Sequence, residues 1–574
     1  MTDGGTRSSK PAEIVYGVDE TPPLAVTMLS GLQQVGMIAI LLVFPLMLGR
    51  EAGLDAQETI DLISVTMLVL GMGAILQSRR FGPVGAGYLC PPVCTAAYLG
   101  PALLAAKAGG MPLVFGMMVF SAFVESAMSR VLRPLRPYLP PELSGVVVLL
   151  IGVNVGSLGF RNLLGVDAPA APSAAEFAVA AITLATMVGL SIWSRGAARL
   201  FCALIGMVVG YAAAAAAGLL SAQDLAKWQA TPVLSFPTVA THGWAWETTL
   251  ALPFLIAALG SVIRGIGDIT IAQKINDRQW VRPQFGSISG GVMANGLTNL
   301  LGGILGAHPV STSTSSVGLS AATGVTSRRV GYAIGAIFIV LAFFPKAGAV
   351  FLIMPHSVIG AATIFTAAII FVGGMQILAA RLFDQRRTFV VGLSFIVGIS
   401  VDIYPAFFHG LPPQLAPIFA SSLVLGTVTA VLLNLVMRIG VRRSGKMSVD
   451  PQRVDVAAIA DFMARQGAVW GARRDAIERA GFNIAQAVET IADACAPTGR
   501  IEVEAGFDEF NLDVRVSYDG LALQLPTARP SDDDIMQAED GVRRLAGFIL
   551  RRNADRVSVS TSGARTTLLF HFDH

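Results

Sequence analysis

Apolar residues run through the first three quarters of this 574-residue chain in blocks of about twenty, divided by short polar or basic stretches, and then give way to a mixed pattern. A hydrocarbon layer takes about 20 mainly apolar residues to cross as a helix. Because it holds no water for peptide groups, it admits only backbone that pairs with itself. The blocks predict fourteen crossings: 24–47, 60–78, 84–105, 110–129, 142–160, 174–193, 199–220, 248–272, 284–303, 309–325, 330–349, 356–379, 388–406 and 414–438. Lys and Arg test this independently, since they collect in cytoplasmic connections. With the N-terminus inside, the inner connections carry nineteen, including Arg79, Arg80, Arg130, Arg133, Arg136, Arg328, Arg329, Arg386 and Arg387. The outer connections hold few, Lys107, Arg161, Lys227 and Lys346 among them. The expectation is an even number of crossings with both termini cytoplasmic, in a bacterial-type inner membrane.

Composition sharpens the boundary. Residues 1–446 hold 45 of the 79 Asp, Glu, Lys and Arg residues, and the 128 residues after them hold the other 34. The first part is therefore far below the charge content of a water-soluble domain, and the second matches it. The expected organisation is a cytoplasmic N-terminal segment (1–23), a transmembrane domain (24–438), a linker (439–450) and a cytoplasmic α+β domain (451–574). The overall net charge of +3 divides into +9 and −6, so it gives no reason to expect nucleic acid as a partner. Four cysteines in apolar or helical contexts suggest no disulfide framework, and no His/Cys/Asp cluster has the spacing of a metal site. The polar start, MTDGGTRSSKPAEIVYG, lacks the apolar core of a signal peptide, so the first crossing is expected to stay in the mature protein.

Two blocks are wrong for ordinary helices. The third opens RFGPVGAGYLCPPVCTAAYLGP, where the Pro91–Pro92 pair removes donors and restricts the residue before it. The tenth opens GGILGAHPVSTSTSSVGLSAATGVTSR, with Gly306, Pro309 and a Ser/Thr run at membrane depth. Each predicts an extended piece leading into a short helix. As third members of two sets of seven, they fit an inverted-repeat transporter with discontinuous helices at its midplane.

Several motifs in order resemble the nucleobase-ascorbate transporter family, also called the nucleobase:cation symporter-2 or xanthine/uracil permease family. YGVDETPP (16–23) is similar to its pre-helix signature, Gln33–Gln34 stands where a Gln-His pair is usual, and GMGAILQ (71–77) resembles its second-helix pattern. IGD (266–268), ANG (294–296) and GGILG (302–306) resemble its eighth- and ninth-helix regions. The tenth-segment signature is altered, reading Ser315, Ser316, Val317, Gly318, then Thr323–Gly324 and Ser327–Arg328. The resemblance implies fourteen segments in a 7+7 inverted repeat, with a core domain (24–129 and 248–349) and a gate domain (142–220 and 356–438). It also implies a homodimer, an elevator-like movement of core against gate, and a purine, pyrimidine or related base carried with protons. No organic cofactor is expected; the proton is the expected coupling ion.

A half-helix that starts at the midplane exposes unpaired N–H groups and the positive end of its dipole. Pro91–Cys94 and Ser313–Val317 are expected to supply these, making Ser313, Ser315, Ser316 and Val317 candidate substrate contacts. By the resemblance, Tyr88 stands where an aromatic residue stacks on the base. Arg264 and Asp268 lie four apart on one helical face, and charges in an apolar span are costly and usually functional. In the family pattern the position of Arg264 carries a glutamate that grips the base, so its sign is reversed here. An arginine and hydroxyls beside helix N-termini offer donors, which suit carbonyl-rich or anionic ligands such as urate, or a small anion. Asp268 aligns with a position tied to proton coupling; Glu125 and His308 are further candidates. The main expectation is a base transporter with atypical specificity, and the alternative an anion transporter or channel on the same fold. Partners are the small-molecule substrate and membrane lipid.

In the tail, DVAAIADFMARQGAVW and RRDAIERAGFNIAQAVETIADACA predict helices, RIEVEAGFDEFNLDVRVSYDG and LALQL strands, DDDIMQAEDGVRRLAGFILRRN a helix and DRVSVSTSGARTTLLFHFDH a closing hairpin. The order weakly resembles a histidine-kinase-like ATPase module. Asn483 resembles its metal-binding Asn, but a glycine-rich lid is missing. The expectation is a regulatory or dimer-supporting domain.

Overall fold

The computed structural model describes residues 10–135, 141–164, 172–195, 197–220, 226, 228–238, 243–278, 280, 283–379, 385–412, 418–419, 421–437, 443–470, 472, 474–508, 511–527 and 541–573. They form two compact units, Met1–Leu433 and Asn434–His574. Arg136, Lys227 and Arg282, which belong to the predicted connections, lie outside the described residues.

In the first unit the helices are α1 (Leu24–Ala39), α2 (Val43–Glu51), α3 (Ala56–Ser78), α4 (Ala96–Leu135), α5 (Pro141–Leu163), α6 (Ala174–Trp193), α7 (Ala197–Leu200) and α8 (Cys202–Ala216). They continue as α9 (Ala251–Asn276), α10 (Phe285–Leu305), α11 (Thr314–Thr323), α12 (Arg328–Ala342), α13 (Pro345–Leu352), α14 (His356–Ala379), α15 (Gln385–Ile403), α16 (Pro405–His409) and α17 (Ser422–Met437). Among the described residues eight helices are long and apolar enough to cross a membrane, or nine if α12 and α13, bent by 79°, count as one. That is fewer than the fourteen blocks, for physical reasons. Blocks three and four join in α4, which breaks at Gly109–Gly110 where Gly110 has φ 68°. Block ten has only a ten-residue helix, and α8 and α17 are short. The second block starts four residues early because Asp55 and Glu58 close a capping box in a stretch too polar to look membrane-like.

The two irregular blocks meet. Strand β1 (Pro92–Cys94) pairs antiparallel with β2 (Val310–Thr312), Val93 opposite Ser311, and all six residues are buried. This pairing satisfies backbone groups that neither extended piece could satisfy alone at depth. It also corrects one expectation: Pro92–Cys94 is strand, and the helix after it opens only at Ala96. Gly306, left-handed at φ 87°, ends α10 and turns the chain into β2. At the far end of α11, residues 15–18 lie along 324–328, with Val15 N–H donating to Gly324 O (2.8 Å) and Thr326 N–H to Tyr16 O (2.9 Å). The YGVDETPP motif is thus a strap that holds the end of this half-helix.

The second unit is a five-stranded antiparallel sheet in the order β3 (Arg443–Val449), β4 (Ile501–Phe507), β5 (Asn511–Asp519), β7 (Arg565–Asp573), β6 (Arg556–Ser562). Helices α18 (Val456–Trp470), α19 (Arg474–Ala494) and α20 (Gly541–Asn553) accompany it. Ile459, Ile484, Val488 and Leu550 from the helices join Val503, Val514, Leu568 and Phe570 from the strands in one buried core. The linker expectation for 439–450 is corrected by β3, whose Val449 is buried and Met447 half-buried while Ser444, Lys446 and Ser448 face out. Its period of two was obscured because an inward position is Gly445. LALQL, at 521–525, forms no strand. Asn483 is fully buried and donates from Nδ2 to Leu550 O (3.3 Å), so its side chain links α19 to α20 inside the core instead of facing a nucleotide.

Candidate functional site

The charged pair of α9 stands against the start of α11. Arg264 Nε lies 3.9 Å from Asp268 Oδ2, with side-chain exposures of 21% and 2%. Asp268 Oδ2 accepts from Thr312 Oγ1 (2.8 Å), and its Oδ1 accepts from Thr314 Oγ1 (2.5 Å). These threonines end β2 and begin α11, whose cap residue Ser313 makes no side-chain capping bond. A carboxylate here complements the positive end of the helix, and burial without such partners would cost several kcal/mol. Among the described residues the Arg264 side chain has an ion pair with Asp268 but no hydrogen bond to protein, so its guanidinium keeps donors for another acceptor.

The candidate contacts divide by exposure. Ser315 and Thr314 are exposed at the first turn of α11, as is Gly318 one turn on. The side chains of Ser313, Ser316 and Val317 are buried. The reason is helical spacing: Ser316 and Ser320 turn inward, where Gln34 Nε2 donates to Ser316 O (2.9 Å) and Ser320 Oγ (3.0 Å). Tyr88, half-buried, packs with Cys90, Met128, Val262 and Val317.

Glu125 and His308 stand apart from this pair. His308 is buried, its N–H donating to Thr66 Oγ1 (3.0 Å), its Nδ1 2.7 Å from Pro309 O and its ring 6.2 Å from that of Phe44. Glu125 is fully buried, Oε1 accepting from Tyr98 OH (2.9 Å) and Oε2 from Asn299 Nδ2 (3.0 Å) and Asn295 Nδ2 (3.3 Å). The sequence pattern does not single out Asn299, Tyr98, Thr312 or Thr314, and it marks Asn295 only as part of the ANG motif. The legible signal was two asparagines four apart in the otherwise apolar GVMANGLTNLLGG, hence on one helical face.

A bundle of long apolar helices interrupted by two paired extended segments, with an Arg–Asp pair at their junction, defines a polytopic membrane transport protein. The profile of the permease family, the xanthine/uracil permeases, matches residues 25–407, and the chain belongs to that family. It is 28% identical over 440 residues to xanthine permease XanP of Escherichia coli K12, covering 74% of this chain and 95% of the relative. To nucleobase transporter PlUacP of Paenibacillus larvae it is 26% identical over 435 residues, covering 74% and 98%. Murine Slc26a9, an anion transporter solved in the inward-facing state, shares the fold at 12% identity and a TM-score of 0.50, covering 82% of this chain and 84% of that one.

Proposed function

We propose that this protein is a secondary active transporter of a purine, pyrimidine or related base of the uracil, xanthine or urate type, carried with protons. The observation that carries the specificity is Arg264, whose guanidinium is partly exposed and has no protein hydrogen-bond acceptor among the described residues. Xanthine and nucleobase permeases among its relatives support the substrate class. An arginine with Ser315 and the first N–H groups of α11 presents donors, and so favours the carbonyl-rich or anionic edge of a base. In this reading Tyr88 stacks on the ring and Asp268 takes the coupling proton. Its hydroxyl partners donate to a carboxylate and accept from a carboxylic acid, so both protonation states keep their bonds. Protonation also frees Arg264 from its counter-charge, which makes proton and base binding mutually favourable.

The same reading has fourteen crossings in a 7+7 inverted repeat, core moving against gate in an elevator-like step, a homodimer, and both termini cytoplasmic. The C-terminal domain is regulatory or supports the dimer. An anion carrier is the second reading, and it rests on the same arginine.

Thermal unfolding of the purified chain with uracil, xanthine, urate, bicarbonate or sulfate separates the two. A ligand at about 100 times its Kd adds about 2.7 kcal/mol of stability. Stabilisation by a base, followed by its uptake into proteoliposomes under a pH gradient, is the expected result. Stabilisation by inorganic anions alone overturns base transport, and base uptake indifferent to the gradient overturns proton coupling.

A further inference from the structure

Glu125 has three protein donors and lies at a junction of four elements, which asks for a reason beyond burial. Tyr98 comes from the first limb of α4, just after β1, and Glu125 from the second limb, beyond the Gly109–Gly110 break. Asn295 and Asn299 come from α10, and Asn295 Nδ2 also donates to Ser261 Oγ (2.9 Å) on α9, one turn before Arg264. Asn299 holds Val310 by both backbone groups: Val310 N–H donates to its Oδ1 (2.8 Å), and its Nδ2 donates to Val310 O (2.9 Å). Val310 opens β2, two residues before Thr312, which binds Asp268.

The amide of Asn299 therefore has a required orientation. Turned over, it would set its oxygen against Val310 O and Glu125, and its NH2 against the Val310 N–H. The Glu125 carboxylate, accepting from Nδ2, selects the orientation that clamps β2. Close approach makes this possible, since a Cβ added at Gly296 would lie 2.5 Å from Ser126 Oγ and 3.0 Å from Ser126 N. Helices α4 and α10 touch at the residues beside the cluster.

We propose that Glu125 is a positioning residue. Through Tyr98 it holds the first half-helix, through Asn299 the strand that starts the second, and through Asn295 and Ser261 the helix carrying Arg264 and Asp268. It fixes the spacing of the substrate site without contacting substrate. Glu125 thus serves as a structural acceptor, and the coupling proton is left to Asp268.

The prediction separates shape from charge. In Glu125→Gln the amide oxygen still accepts from both asparagines, while its NH2 donates to the Tyr98 oxygen, which accepts as well as donates. Glu125→Leu removes the acceptor shared by the Tyr98 hydroxyl and one N–H of each asparagine amide, and Asn299→Leu removes the clamp itself. Two readouts on the full chain test this, exchange in nanodiscs and uptake into proteoliposomes, and only the second rests on the base-transport reading. Hydrogen exchange in peptides spanning residues 300–320 should accelerate in Glu125→Leu and Asn299→Leu and match wild type in Glu125→Gln. Xanthine uptake should show KM raised about tenfold in the two leucine variants, with Vmax changed much less, and KM near wild type in Glu125→Gln. Exchange and KM unchanged in Glu125→Leu would overturn the proposal. So would Glu125→Gln failing as Glu125→Leu does, since the charge or proton would then matter rather than the acceptor geometry. Wild type that takes up no xanthine sinks that substrate, while the exchange readout still decides the clamp.

Discussion

Asp268 in α9 and Glu504 in β4 each face an arginine, at 3.9 and 3.2 Å, yet the longer contact matters more. Glu504 lies on the outward face of the C-terminal sheet, opposite Lys446 on one neighbouring strand and Arg515 on the other. Its pairs with them span 3.5 and 3.2 Å, with side chains between 31% and 76% exposed. Water solvates either charge when the other is lost, so such pairs contribute about 0–1 kcal/mol. Asp268 and the Thr312 hydroxyl that donates to it are buried, so neither has water to fall back on if the other is lost. Scarcity of charge in the membrane unit and abundance in the other unit thus reflect how much each charge costs to leave unpaired.

That contrast breaks most visibly at Asp268. Asp268→Leu, which strands Arg264 and two threonine hydroxyls, should destabilise by about 3–5 kcal/mol in thermal unfolding and abolish uptake. Thr312→Val and Thr314→Val each remove one donor from a buried carboxylate, so each should cost about 1–3 kcal/mol and shift the pH dependence of uptake. At the other extreme, Arg515→Ala should change stability by less than about 1 kcal/mol and leave uptake at wild-type rate. A cost at Arg515 as large as that at Thr312 would erase the distinction.

The smallest effect belongs to the strap. The Gly17 N–H and the Lys10 ammonium hold the Glu20 carboxyl below its ordinary pKa. A depressed folded value means that the carboxylate stabilises the strap above the usual Glu pKa and stops doing so as pH falls through the lower, folded value. The protection factors of residues 14–20, that is, exchange corrected for its intrinsic pH dependence, should therefore fall only at acid pH in wild type, and should lose that dependence in Glu20→Gln.

The hydrophobic pattern revealed how the chain is organised, because membrane burial is a property of long stretches. It located both interrupted segments, since clustered prolines and glycines at membrane depth are incompatible with a continuous helix. It did not reveal that those segments pair with each other, because Val93 and Ser311 are more than two hundred residues apart. Nor did it reveal β3, whose inward face includes a glycine. At the site, Arg264 and Asp268 were legible as charges in an apolar helix. The threonines that hold Asp268 lay within a Ser/Thr run in which every hydroxyl looked equivalent. Only the helical phase of α11 separates Thr314 and Ser315, facing out, from Ser316 and Val317, facing in.

Equilibrium binding of xanthine and urate to the purified chain measures whether the Arg264 guanidinium grips the base. Wild type should bind at least one of the two bases, and Arg264→Ala should weaken that binding by about tenfold or more, as expected for a lost charged hydrogen-bond donor. Equal affinity in wild type and Arg264→Ala would contradict the account, leaving the arginine only the task of neutralising Asp268.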